Sequence, residues 1–265
     1  MSALTKLAAC PGAMALSWKQ DNDGMSGESG KAADTGTAVG LAIELYHRGE
    51  ELGAIADRLP QLSKGGALDR QPFPRADVAE ALRVLGRYST DPRNPRAAVR
   101  GDSLERAVEL RLQPHPLDPT KEPVMLLGHL DQVREGADGV LEVWDLKHSR
   151  YSGPDLVRSY AWQQAAYTVA TAQSYGRPTR WGGILRTKGY LTRERRTPGE
   201  EPAFFHSGYT WEDCLAALDQ VRLLVALARS GRVPLQPGDV CSWCPAFSFR
   251  QCRRELAPTP SRLTV

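Results

Sequence analysis

An α/β domain with a central mixed sheet flanked by helices is the architecture that the order of residue patterns in this chain predicts. Two helical patterns come first, three strand patterns follow, and a helix and a further strand come next. At 265 residues, with 41% hydrophobic and 25% charged side chains, the chain can bury one full core and has the composition of a soluble globular protein. It contains no apolar run of about eighteen residues, so no membrane span is expected.

The opening segment, 4–18, carries Cys10-Pro11-Gly12 and leads into a polar, glycine-rich stretch, 20–30, that reads as a loop. Residues 37–47 mix Val39, Leu41, Ile43 and Leu45 with Ala38 and Ala42, a mostly apolar helix for which Gly49 is the stop. Residues 77–88 place Val78, Ala81, Leu82 and Leu85 on one stripe of a second helix, after which Pro92 and Pro95 break the chain. Strand character follows at 107–112, 124–133 and 140–146. Residues 155–174 read as one helix with Pro154 near its start, 180–186 as a fourth strand, and 211–229 as a last long helix. There is no internal repeat; residues 1–255 read as one domain and 256–265 as a loose tail.

The net charge of +3 does not by itself require a nucleic-acid partner. The basic residues are nevertheless grouped: Arg180, Arg186, Lys188, Arg193, Arg195 and Arg196 form either a solvated loop or an edge that contacts phosphates. Leu7-Ala8-Ala9-Cys10 has the look of a lipoprotein cleavage box, but Lys6 interrupts the place where its apolar region should lie. A cytoplasmic protein is therefore expected, with its five cysteines reduced unless they hold a metal.

The most informative stretch is Gly128-His129-Leu130-Asp131, the turn Gly136-Ala137-Asp138-Gly139, and then Asp145-Leu146-Lys147 at the end of an apolar strand. Strand side chains alternate faces, so Asp145 and Lys147 point to one side of the sheet, and the turn can fold Asp131 beside them. Burying two carboxylates and an ammonium among Leu, Val and Trp is costly unless a metal ion or a partner compensates. Mg²⁺ is suited to one or two carboxylates with water and phosphate oxygens. The plain alternative is a hairpin with an ordinary salt bridge between Asp145 and Lys147.

This set resembles the PD-(D/E)XK nuclease superfamily. Gln163 and Tyr167 share a helical face and resemble the Gln-x-x-x-Tyr motif of its RecB-like exonuclease branch. The resemblance implies a restriction-endonuclease-like core and a DNA nuclease, single- or double-stranded DNA being the partner. It implies Mg²⁺ or Mn²⁺ held by Asp131, Asp145 and the Leu146 carbonyl, Lys147 on the attacking water, and Gln163 and Tyr167 as positioning groups.

Four cysteines sit towards the two ends: Cys10, then Cys241-x-x-Cys244, then Cys252. A Cys-x-x-Cys turn brings two thiolates to one centre, and either Zn²⁺ or an iron-sulfur cluster would be satisfied by four. Cys10-Pro11-Gly12 and Cys241-Ser242-Trp243-Cys244-Pro245 resemble the iron-sulfur nucleases of the RecB-like group, which include CRISPR-associated exonucleases and phage relatives. That implies a 4Fe-4S cluster joining the N- and C-terminal segments, although Cys244 and Cys252 lie farther apart than that group leads one to expect. Cys214 falls within a helical pattern and reads as a core residue.

The pattern also departs from the group on the first helix. Relatives often carry a metal-binding histidine after Gly-Thr-Ala-x, where Gly36-Thr37-Ala38-Val39 is here followed by Gly40. Glu44 and His47 lie on the same face and offer substitutes or a solvated helix edge, and His129 shares a strand face with Asp131. By that resemblance the sequence is expected to encode a metal-dependent DNA nuclease, an exonuclease of bacterial, archaeal or phage type, with repair or recombination as the implied setting. The alternatives are a catalytically degenerate nucleic-acid-binding protein and a zinc-stapled domain.

Overall fold

The structure, a computed structural model, describes residues 31–64, 71–149, 154–191 and 204–230. The proposed cluster ligands Cys10, Cys241, Cys244 and Cys252, the basic residues Arg193, Arg195 and Arg196, and the 256–265 tail lie outside the described residues. The helices are α1 (Lys31–His47), α2 (Leu52–Arg58), α3 (Arg75–Tyr88), α4 (Pro154–Ser159), α5 (Ala161–Tyr175) and α6 (Trp211–Arg229). The strands are β1 (Ser63–Lys64), β2 (Gln71–Pro72), β3 (Arg106–Leu112), β4 (Val124–Leu130), β5 (Gln132–Glu135), β6 (Leu141–Lys147), β7 (Thr179–Arg186) and β8 (Phe204–His206).

β5, β6, β7 and β8 form a four-stranded sheet in that order; β6 and β7 run parallel and the outer pairs antiparallel, so the sheet is mixed. β3 and β4 form a separate antiparallel ribbon. Helices α1, α2 and α3 pack with Trp144, Leu185 and Phe204 in one apolar cluster. On the other side Leu141, Val143 and Val133 meet Ala166, Val169 and Ala170 of α5, which in turn packs on α6 through Cys214 and Leu218. Gly49, at a positive φ of 95°, ends α1 as expected. A capping box between Thr210 and Asp213 opens α6, which matches the expected 211–229 helix.

Two expected elements are each divided. The strand read as 124–133 breaks at Asp131 into β4 and β5, and the helix read as 155–174 breaks at Tyr160 into α4 and α5. In each case the break lies beside the cluster of charges expected from the sequence, and the residue at the break lines the same cavity. The short helix α2 and strand β8 were not expected from periodicity; both are too brief to establish a period.

The β6–β7 pairing contains a register shift: Val143 faces Trp181 while Trp144 faces Gly183. Gly182 is the extra residue, and a Cβ there would overlap the Trp144 indole. Gly183 has a φ of 152° and its backbone lies against the Phe205 carbonyl, so a side chain has no room there either. Two glycines thus permit the bulge just before β6 delivers Asp145 and Lys147.

Arg134 is buried, and among the described residues no carboxylate pairs with it. Its guanidinium donates to Gln132 Oε1 and Asn94 Oδ1, each at 2.9 Å, to the Arg93 carbonyl at 3.1 Å, and to the Tyr88 hydroxyl at 3.2 Å. These bonds fix β5, and hence the turn at Asp131, against α3.

Candidate active site

Asp131 leaves β4 at the bend, and the antiparallel Gln132–Trp144 pair brings it across from Asp145, since Asp131 precedes Gln132 and Asp145 follows Trp144. Its Oδ2 accepts a hydrogen bond from the Leu146 backbone N–H at 2.7 Å. Asp145 is only 2% exposed, and the Nζ of Lys147 lies 2.6 Å from its Oδ2, which has no other hydrogen-bond donor among the described residues. The acid, the acid and the lysine are therefore together, at the C-terminal end of a strand that runs parallel to its neighbour.

The electrostatics follow from this crowding. Enclosure by protein, and then the charge of Asp145, push the Asp131 carboxyl up to about 7. For Lys147, burial works against the charged form, but the carboxylates of Asp145 and Asp131 outweigh it and hold the ammonium above the ordinary lysine range. Gln163 and Tyr167 are both buried, one turn apart on the α5 face behind the acids. Burial first, then the two aspartates, push the Tyr167 hydroxyl up to about 12.

In front of these groups a cavity of about 1440 Å³ opens between α1, α3 and the end of β6. Asp131, Leu146, Lys147, Gly40 and Glu44 line it. Among the described residues no group of three or more His, Cys, Asp or Glu side chains is gathered closely enough to hold a metal ion. Two carboxylates nevertheless suit Mg²⁺, which keeps several waters and substrate oxygens in its shell. The buried Asp145 Oδ2, which among the described residues is met only by the ammonium of Lys147, is an oxygen of the hard type such an ion takes.

Residues 1–249 match the family model of the PD-(D/E)XK nuclease superfamily. The chain belongs to that superfamily. No curated protein matches the chain. The mixed sheet flanked by helices fits the restriction-endonuclease-like fold, and PD-(D/E)XK nucleases generally use Mg²⁺ or Mn²⁺.

Other expected residues are distributed differently. Glu44 lines the cavity but is paired with Arg48 at 2.7 Å, one turn along α1. His47 neither reaches the cavity nor sits at a solvated edge. It is buried, with Nε2 2.6 Å from the Tyr88 hydroxyl and Nδ1 3.1 Å from the Arg96 carbonyl, and burial lowers it to about 4. His129 lies on the exposed side of β4, opposite Ala107. Arg180 is engaged by Asp138 and Glu142 in ion pairs and is not a free phosphate contact. Cys214 is buried in the α5–α6 core as expected, and burial pushes its thiol up to about 11.

Three residues at the cavity were not expected from the sequence. Glu105 lines the cavity from a left-handed backbone position, φ 50°, rare for a residue of its kind. Burial first, then the charge of Glu44, raises its carboxyl. His148 follows Lys147 directly and is hydrogen-bonded to Glu80 on α3 and to Thr187 after β7, each at 2.8 Å, tying three elements together at the cavity wall. Tyr160, at the α4–α5 break, lines the cavity with its ring centroid 4.8 Å from Lys147 Nζ. His148 had a local signal, adjacency to the lysine; Glu105 and Tyr160 had none.

Proposed function

We propose that this chain is a Mg²⁺- or Mn²⁺-dependent deoxyribonuclease, an exonuclease of the RecB-like branch, that hydrolyses phosphodiester bonds at the cavity. The single observation that carries the reading is the meeting of Asp131, Asp145 and Lys147 in a member of a nuclease superfamily. Asp131 and Asp145, with the Leu146 carbonyl, would hold the ion. When bound, the ion supplies Lewis acidity at a phosphate oxygen and a more acidic water. Lys147 donates to the attacking water and offsets charge building on the phosphate, its ammonium already held in place by Asp145. Gln163 and Tyr167, buried behind the acids, keep the Asp145–Lys147 pair in position. Cys10, Cys241, Cys244 and Cys252 would hold a structural 4Fe-4S cluster; support for it rests on their layout in the sequence.

End-labelled single- and double-stranded DNA incubated with Mg²⁺, Mn²⁺ or EDTA tests the reading. Cleavage from the ends should require a divalent ion, and Asp145→Ala should lower it by at least about 10²-fold, the scale expected when a transition-state electrostatic group is removed. Unchanged cleavage by Asp145→Ala would rule out the assigned site. DNA binding by wild type without cleavage under any of these ions would favour the degenerate, binding-only reading.

A further inference from the structure

Lysine is a long side chain with four rotatable bonds, and a productive ammonium position must be held against its rotamer entropy. Among the described residues, the Nζ of Lys147 contacts Asp145 Oδ2 at 2.6 Å and the face of Tyr160, with its centroid at 4.8 Å. The first restraint is conditional. In the reaction proposed above, Asp145 also serves a divalent ion, and a carboxylate oxygen shared with that ion attracts the ammonium less. A ring face attracts a cation through its quadrupole and does not compete for the ion.

Tyr160 is itself well fixed. It sits at the corner between α4 and α5, with φ −107° and ψ 5°, its N–H donating to the Val157 carbonyl at 3.2 Å and its carbonyl accepting from the Gln164 N–H at 2.9 Å. The ring packs against the cluster of Leu156, Val157, Trp181 and Ile184 while it lines the cavity beside Lys147. The helix break that divides 155–174 therefore has a local outcome: it aims one aromatic face at the ammonium.

We propose that Tyr160 is a positioning residue whose ring face keeps the Lys147 ammonium over the site when Asp145 is engaged by a divalent cation. The inference rests on the nuclease reading for its role in the reaction, though the contact itself does not.

The test compares full-length wild type with Tyr160→Phe and Tyr160→Leu. Steady-state cleavage of DNA, Mn²⁺ binding by calorimetry, and the rate of amidination of the Lys147 amine in saturating Mn²⁺, followed by mass spectrometry, are measured for each. Tyr160→Phe keeps the ring and should match wild type in all three. Tyr160→Leu keeps apolar packing but loses the ring face, so kcat should fall about tenfold, ~1.4 kcal/mol at the transition state, with KM and Mn²⁺ affinity unchanged. Lys147 should be amidinated several-fold faster in that variant.

The proposal is overturned if Tyr160→Leu matches wild type in kcat or in amidination. It is equally overturned if Tyr160→Phe loses as much as Tyr160→Leu, which would assign the effect to the hydroxyl, or if KM rises alone, which would make the ring a base-stacking surface. If wild type shows no divalent-dependent cleavage, the nuclease reading fails. The amidination rates still decide whether the ring restrains Lys147.

Discussion

Asp131 gives the site a dependence on pH whose sign can be worked out. In the unfolded chain its carboxyl ionises from about 3.8, whereas in the folded chain enclosure and Asp145 hold it protonated up to about 7. Between those values the folded state binds more protons, so the stability this group contributes falls as pH rises. A divalent ion reverses the effect by stabilising the ionised form, and its binding should release a proton below neutrality. Melts in EDTA from pH 4 to pH 8 should show wild type losing stability relative to Asp131→Asn, with Mn²⁺ restoring it more at pH 8 than at pH 5. Parallel profiles for the two proteins would mean that Asp131 ionises normally. The meeting of Asp131, Asp145 and Lys147 was legible in the sequence because strand alternation puts Asp145 and Lys147 on one face and the turn folds Asp131 beside them. His47 was not, since helical spacing says that it lies on the face of Gly40 but not that Tyr88 from α3 would capture its ring. The same holds for Glu105, whose positive φ has no glycine or asparagine to announce it.

The glycine pair in β7 belongs to a larger unit, the parallel β6–β7 contact. Gly182 lies under the Trp144 indole, and Trp144 directly precedes Asp145. Gly182→Ala must displace that ring or straighten the bulge, either of which costs about 1–3 kcal/mol as an overpacked core position. Its urea midpoint should drop accordingly, and cleavage should fall more than stability alone explains, because straightening the bulge slides Asp145 along the sheet. An unchanged midpoint would show that the indole moves freely. The sequence revealed β7 as a strand but not its bulge, although paired glycines within an apolar strand are a signal of one. The divided elements are instructive in another way. Alternation continues through Asp131, and helical spacing through Tyr160, so pattern alone predicts unbroken elements; both breaks fall at residues that line the cavity.

The architecture as a whole was legible because the order of elements restricts the topologies that can form: β6 and β7 are joined through α4 and α5, which allows them to lie parallel with α5 packed across them. The cavity at their C-terminal end follows from that arrangement. The proposed cysteine cluster acts over a still longer range, since Cys10 and Cys241 flank nearly the whole of the chain that matches the superfamily. Thiolate ligation across so long a loop restricts the unfolded chain, an effect worth about 3–5 kcal/mol by analogy with a long disulfide loop. Cys244→Ala should therefore lower the melting temperature and the soluble yield sharply, and should remove the brown colour expected of anaerobically purified wild type. Protein that remains folded should still cleave DNA, because no cysteine ligand belongs to the acid-acid-lysine set. Stoichiometric zinc without iron would replace the cluster by a zinc staple of the same mechanical effect. A variant as stable as wild type but inactive would instead move the cysteines from structure into catalysis or DNA handling.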